Sequence, residues 1–134
     1  MQSKQYLEDS ARTAPTEEQN SKTIERIITG HEEVHLVDLL HAGIGMSTES
    51  AEFLDALKKH MFYGKPLDTV NLKEEVADQL WYCALALRAL GANFEEVMET
   101  NIAKLKARYP KKFDEEKALT RDLETERKIL EGKE

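Results

Sequence analysis

NLKEEVADQLWYCALALRALG, residues 71–91, is the stretch that decides the fold class of this chain. Apolar residues recur in it at helical spacing, and Asn71 and Glu74 have the spacing of a capping box at the start of a helix. From Leu80 to Leu87 this helix is apolar on more than one side, so it must be covered on all sides. A chain of 134 residues can best provide that cover by dimerising.

The first predicted helix lies before this stretch. It starts near Thr16, at capping-box spacing from Gln19, and runs toward His41. Gly43 and Gly45 are expected to break it, because glycine is a poor helix residue.

The second and fourth predicted helices end at turn signals on either side of the central stretch. The second begins near Ser47 or Thr48 and stops at the turn of residues 63–66. The fourth is capped by Asn93 and ends before Pro110, because the residue ahead of a proline avoids helical geometry. Helices of roughly 15 to 25 residues joined by short connections are typical of an antiparallel bundle.

The two ends of the chain flank this core. Residues 1–20 are rich in polar residues and are predicted to form a loosely ordered N-terminal arm, whereas residues 21–134 form a single helical domain. A last helix is expected from Asp114 to Leu130. The predicted fold class is all-α, a four-helix-bundle core with an additional C-terminal helix, expected to dimerise or form a dimer of dimers.

Charge and composition exclude several classes of function. Nineteen basic and 26 acidic residues give a net charge of −7, which disfavours nucleic acid or an anionic membrane as a partner. The longest apolar run has eight residues, far short of the roughly 20 needed to cross a bilayer. With Cys83 as the single cysteine and no signal-peptide pattern, the expected location is the cytoplasm.

Two acidic pairs with i, i+3 spacing border the apolar core. They are Glu49 with Glu52, and Glu75 with Asp78. Acidic residues at this spacing lie side by side on a helix and repel by roughly a few tenths of a kcal/mol, so a solvated helix face is the simplest interpretation. Four carboxylates facing one another would instead require a hard divalent cation, for which Mg²⁺ is the usual candidate.

Whether the two acidic pairs meet depends on the connection between their helices. Both pairs lie near the starts of predicted helices, so a tight antiparallel hairpin would separate them by about 20 Å. An extended connection over residues 63–70 would span roughly 26 Å and bring the pairs level. The sequence leaves both arrangements open.

A polar stripe on the fourth predicted helix consists of Asn101, Lys104 and Arg108. Cations near a helix C-terminus complement the helix dipole, which is a sufficient structural reason for two of them. Beside a metal and carboxylate cluster, the same amide and two cations offer what a polyphosphate needs.

In their order and spacing these motifs resemble the MazG-like all-α nucleoside triphosphate pyrophosphohydrolases, in the small single-module form found in phages and bacteria. The resemblance rests on Glu49-Ser-Ala-Glu52, then Glu75-Val-Ala-Asp78 after a gap of 22 residues, then Asn101-Ile-Ala-Lys104-Leu-Lys-Ala-Arg108-Tyr-Pro. Tyr63-Gly-Lys-Pro-Leu-Asp68 and Leu80-Trp-Tyr82 add to it, and it covers roughly residues 34 to 113.

The resemblance implies an enzyme that uses Mg²⁺, with Mn²⁺ as an alternative, to cleave (deoxy)nucleoside triphosphates between the α and β phosphates. The products are a monophosphate and pyrophosphate, and the protein is expected to be a homodimer or homotetramer. The implied metal ligands are Glu49, Glu52, Glu75 and Asp78, and the implied phosphate-binding residues are Lys104 and Arg108, with Asn101 beside them.

Two further roles follow from the same resemblance. Because Thr48 stands where some relatives carry a further acid, Glu49 and Glu52 are the candidates for activating the attacking water. Tyr82 lies one turn beyond Asp78 and is a candidate for contacting the sugar or base, with a place in the bundle core as the alternative.

Two other functions compete with the enzyme hypothesis. Glu32–His35 and Asp38–His41 have the acid-x-x-His spacing of di-iron sites, but such sites need a pair on each of two helices, and here both fall on one predicted helix. The second alternative is a non-enzymatic helical oligomerisation or partner-binding module, in which the charged segment 114–134 docks on a neighbouring chain. Stabilisation by Mg²⁺ would separate the enzyme from this module.

Overall fold

The structure is a computed structural model that describes residues 3–30 and 34–133; residues 1, 2, 31–33 and 134 lie outside the description. Its helices are α1 Ser3–Ala11, α2 Glu17–Thr29, α3 Leu36–Tyr63, α4 Thr69–Ala89, α5 Phe94–Arg108, α6 Glu115–Leu119 and α7 Leu123–Leu130. No strand occurs in the two described ranges, so the prediction of an all-α protein is confirmed. None of the described helices is long and apolar enough to span a membrane.

Two of the predicted helix starts are confirmed by their caps. At the start of α2, the Thr16 hydroxyl accepts from the backbone N–H of Gln19, and the Gln19 side chain accepts from the backbone N–H of Thr16. At the start of α5, the Asn93 side chain accepts from the backbone N–H of Glu96. This helix ends at Arg108, two residues before the proline that was expected to stop it.

The first predicted helix is divided in the structure. Helix α2 ends at Thr29, where Gly30 follows with φ of +69°, a backbone conformation that favours glycine. The expected continuation to His41 is wrong, since His41 belongs to α3.

The expected break at Gly43 and Gly45 is also wrong, because α3 runs through both glycines without interruption. Glycine inside a helix costs only about 1 kcal/mol relative to alanine. At Gly45 that cost has a structural reason, since the ring of Tyr82 lies where a Cβ atom would stand. The start predicted near Ser47 or Thr48 therefore falls inside α3.

Two later boundaries differ as well. Helix α4 begins before Asn71, because the carboxylate of Asp68 accepts from two backbone N–H groups of the first turn. The expected C-terminal helix is split into α6 and α7, and each has its own aspartate cap, Asp114 and Asp122. The boundary expected at residue 20 falls inside α2, and the division into arm and domain stays a prediction.

Helices α3 and α4 form the main packed pair and run antiparallel. Gly45 lies against Tyr82, Met46 contacts Cys83 with 3.6 Å between their sulfur atoms, and Ser50 donates a hydrogen bond to Gln79. From Gly45 to Ser50 along α3, the facing residue on α4 thus moves back from Tyr82 to Gln79. Outside this pair, α5 packs mainly against α7, and α2 makes a smaller contact with α3.

The helices of one chain do not enclose an apolar core among the described residues. Ala42 is the one fully buried hydrophobic residue there, and large apolar side chains on α3 and α4 stay about half exposed. Within one chain, the bundle expected from the sequence is therefore present as pairs of packed helices, and apolar faces of these helices are exposed.

Candidate active site

Three carboxylates meet between the middle of α3 and the first half of α4. Oxygen atoms of Glu49, Glu52 and Glu75 all lie within 4.8 Å of one another. Within residues 3–30 and 34–133 this is the one group of three or more acidic, histidine or cysteine side chains close enough to share a metal ion. Of the four metal ligands that the sequence suggested, the structure brings these three together.

The distances of Glu52 and Glu75 from the turn between α3 and α4 explain why the acidic residues meet. Glu52 lies about 16 Å before the end of α3, and Glu75 lies about 9 Å after the start of α4, at 1.5 Å per residue. The connection of residues 64–68 has only to make up the remaining difference of about 7 Å, which is well within its reach. The separation of about 20 Å holds for pairs at the very starts of two helices joined by a tight turn, whereas Glu75 lies six residues inside α4 and the connection adds its own length.

The charge of this cluster is not neutralised by neighbouring cations. In the described part of the chain, no lysine, arginine or histidine forms an ion pair with its carboxylates. Glu75 is 4% exposed, and its Oε1 accepts one hydrogen bond of 2.6 Å from the side-chain amide of Asn71. Buried carboxylates left unpaired are costly, so the arrangement is suited to a bound cation.

The pKa of Glu49 reports the same crowding of negative charge. Desolvation and then the neighbouring Glu52 carboxylate raise it above its ordinary value, and Asp78 and Glu75 raise it further. The Thr48 hydroxyl, which donates to Glu49, acts in the opposite direction. Asp78 therefore lies near enough to influence the site, although its oxygens are outside the group of three. Its role as a ligand stays a prediction.

The donor set fits a hard divalent ion. All three carboxylates offer oxygen atoms, which Mg²⁺ and Mn²⁺ prefer, whereas sites for softer metals use sulfur or imidazole. The hydrogen bond from Asn71 fixes one carboxylate from outside the cluster, as ligand-supporting residues do in metal sites. The sequence pattern predicts Asn71 only as a helix cap. Its i, i+4 spacing to Glu75 is the signal that indicates this contact.

Tyr82 lies on α4, one turn beyond Asp78, and is half buried. Its ring packs on Gly45 and makes edge contacts with the rings of His41 and Trp81. These contacts agree with a packing role, and its predicted contact with the sugar or base is untested.

Of the polar stripe on α5, Arg108 is the member that pairs with another described side chain. Asn101 and Lys104 make no side-chain hydrogen bond or ion pair with another described residue, and Asn101 is exposed. Arg108 forms two hydrogen bonds with the carboxylate of Glu126 on α7. No spacing in the sequence indicates this partner, and the phosphate-binding role of the stripe stays a prediction.

The histidines of the di-iron alternative do not form a metal group in the described part of the chain. His35 approaches the carboxylate of Asp38 at 3.5 Å, and His41 contacts Tyr82. Glu32 lies outside the described residues.

Comparison with known proteins gave one match. A family model for the MazG nucleotide pyrophosphohydrolase domain matches residues 43–113, which is more than half of the chain and includes all the acidic residues of the site. No curated protein and no solved structure gave a match.

Proposed function

Since the chain belongs to the family of MazG nucleotide pyrophosphohydrolase domains, we propose that it hydrolyses (deoxy)nucleoside triphosphates between the α and β phosphates. Water would add to the α-phosphorus, and the bond from that phosphorus to the bridging oxygen would break, releasing a nucleoside monophosphate and pyrophosphate. The observation that carries this proposal is the meeting of Glu49, Glu52 and Glu75 with no cation paired to them among the described residues.

The acidic cluster would hold Mg²⁺, with Mn²⁺ as the alternative ion. Glu49, Glu52 and Glu75 offer the ligand oxygens, and Asp78 is proposed as the fourth ligand because its charge acts on Glu49. The ion, when bound, would neutralise negative charge on the phosphate oxygens and allow an acidic protein to bind an acidic substrate. Without it, this surface would repel a triphosphate.

One carboxylate must also take the proton from the attacking water. Glu49 and Glu52 are the candidates, since they lie about one turn apart on the same face of α3 and are only partly shielded from solvent. Proton transfer to either would leave hydroxide to form the new bond to phosphorus.

Binding of the remaining phosphates is assigned to the stripe on α5. Lys104 and Arg108 offer positive charge, and Asn101 offers a side-chain amide, so together they suit the oxygens of a polyphosphate. Tyr82 is proposed to contact the sugar or base from its half-buried position beside the acidic residues on α4.

The enzyme is proposed to act as a homodimer or homotetramer. Large apolar side chains on α3 and α4 are at least half exposed in the single chain: Val37, Leu40, Ile44, Leu54, Leu80 and Trp81. Faces of this extent are typical of a protein surface that is covered by another chain. Light scattering coupled to size-exclusion chromatography would give the number of chains directly.

The deciding experiment measures pyrophosphate and orthophosphate separately, with a panel of ribo- and deoxynucleoside triphosphates in Mg²⁺ or EDTA. The proposal requires pyrophosphate release that depends on metal, lost in Glu75→Gln and kept in Glu74→Gln, an exposed neighbour on the same helix. Absence of pyrophosphate release, together with no change of melting temperature on adding Mg²⁺, would contradict it and favour the partner-binding module.

A further inference from the structure

A buried carboxylate on α7 binds two arginines. Glu126 is 5% exposed and accepts hydrogen bonds of 2.7 Å from Nε and 2.5 Å from Nη2 of Arg108 on α5. Arg121, just before α7, donates a third hydrogen bond of 2.6 Å to Oε2 of the same carboxylate. Paired, parallel hydrogen bonds of this kind fix the plane of a guanidinium as well as attracting its charge.

The pairing leaves donors and positive charge available. A guanidinium has five N–H groups, and Glu126 uses two of those on Arg108, so three remain for another acceptor. Two arginines and one carboxylate carry a net charge of +1. This cluster can therefore still attract an anion after Glu126 is satisfied.

The neighbourhood of Arg108 is open to a ligand. Its side chain is 16% exposed and lines a cleft of about 230 Å³ between α5 and the segment of α6 and α7. Lys117 adds a second cation to the same cleft, and Asp122 adds a carboxylate whose Oδ2 accepts from the Thr125 hydroxyl, while the Thr120 hydroxyl donates to the backbone carbonyl of Glu116. An oxyanion in this cleft would meet the remaining N–H groups of Arg108 and the ammonium group of Lys117.

We propose that Glu126 is a positioning residue that holds the guanidinium of Arg108 in place for a substrate phosphate. The inference rests on the proposed function, in which Arg108 binds phosphate. It goes beyond the family assignment, because Glu126 lies outside the matched residues 43–113. A guanidinium fixed before the substrate arrives loses less side-chain entropy on binding, which strengthens the contact.

A double-mutant cycle tests whether Glu126 acts through Arg108. The variants are Glu126→Gln, Arg108→Gln and the double variant, with Glu124→Gln as the matched control, since Glu124 is an exposed residue of α7 paired with Lys128. The readouts are KM and kcat for a nucleoside triphosphate, the dissociation constant of inorganic pyrophosphate with Mg²⁺, and the melting temperature.

If Glu126 positions Arg108, Glu126→Gln raises KM and the pyrophosphate dissociation constant by about tenfold, while kcat changes little. Glu126→Gln has no further effect on pyrophosphate binding when it is added to Arg108→Gln. Glu126→Asp recovers part of the affinity that Glu126→Gln loses. The control Glu124→Gln binds pyrophosphate as the unaltered protein does.

Other results would overturn the inference. If Glu126→Gln lowers the melting temperature and leaves pyrophosphate binding unchanged, the ion pair only holds α5 against α7. If the variant binds pyrophosphate more tightly, Glu126 competes with phosphate for Arg108. If Arg108→Gln binds pyrophosphate normally, the phosphate role of Arg108 is wrong and the inference falls with it. Failure of the proposed enzyme function is distinguished by the absence of Mg²⁺-dependent pyrophosphate release from the unaltered protein.

Discussion

Gly45 on α3 and Tyr82 on α4 lie in direct contact, with the tyrosine ring occupying the space where a side chain on residue 45 would begin. The contact places Tyr82 beside His41 and Trp81 and fixes how α3 and α4 align. The acidic residues are carried on the same two helices, one to two turns away from this contact on each. Their meeting therefore depends on the alignment that the glycine permits.

Gly45→Ala should destabilise the protein by about 1 to 3 kcal/mol, because the added methyl group overlaps the ring of Tyr82. Gly43→Ala is the matched control, since nothing lies within 4 Å of the added Cβ atom, and it should stabilise α3 by up to about 1 kcal/mol. Urea unfolding of both variants gives the comparison. In a Tyr82→Ala background the cost at residue 45 should largely disappear, and its persistence would show that the overlap is not the cause.

Glu75→Gln should have opposite effects on stability with and without metal. Without metal, it removes a buried negative charge beside Glu49 and Glu52, so the melting temperature should rise by about 2 to 5 °C. With Mg²⁺, the stabilisation expected for the unaltered protein should be lost, and kcat should fall by about 100-fold or more. Thermal unfolding with a series of Mg²⁺ concentrations measures both effects, and a full Mg²⁺ response in the variant would rule out Glu75 as a ligand.

Asn71→Ala should weaken Mg²⁺ binding by about tenfold without abolishing it. The variant removes the amide that donates to Glu75 at 2.6 Å and leaves every carboxylate in place. Ser50→Ala provides the control, because it deletes a different side-chain hydrogen bond, the one from α3 to Gln79 on α4, without touching the acidic residues. Calorimetric titration with Mg²⁺ separates the two variants; equal affinities would contradict a supporting role for Asn71.

The ion pair of Glu126 should make stability sensitive to acid. Hydrogen bonds from Arg108 and Arg121 lower the pKa of Glu126 from 4.5 to about 2, so the folded state holds this carboxylate ionised at a pH where the unfolded chain protonates it. Its contribution is present above pH 4.5 and is lost as the pH falls toward 2. Melting temperatures measured from pH 6 to 3 should therefore fall less steeply in Glu126→Gln than in Glu124→Gln. Equal slopes would contradict this contribution.

The parts of the fold that depend on neighbouring residues could be predicted from the sequence. The caps at Thr16 and Asn93 act within one helical turn, and the stop before Pro110 follows from local sterics. The spacing of Glu49 and Glu52 predicted a shared helix face, because residues three apart lie side by side, but it left open whether Glu75 would meet them.

The features that could not be predicted depend on contacts between residues far apart in sequence. A glycine weakens a helix locally, and only the contact of Gly45 with Tyr82 explains why α3 continues through it. Arg108 and Glu126 are 18 residues apart and lie on helices separated by α6, so no periodicity relates them. The single helix predicted from Asp114 to Leu130 is divided because Asp122 caps a second helix, α7.

The continuous α3 also determines where the chain tolerates changes of length. An extra residue in the connection 64–68 leaves the facing positions of Gly45 and Tyr82 unchanged, and with them the acidic residues on either side. An extra residue between Gly45 and Glu49 would rotate the carboxylates of α3 by about 100° away from Glu75, at 3.6 residues per turn. The connection is therefore a position at which a tag or a fluorescent reporter can be inserted, whereas the helix segment between Gly45 and the first acidic pair tolerates neither insertions nor deletions.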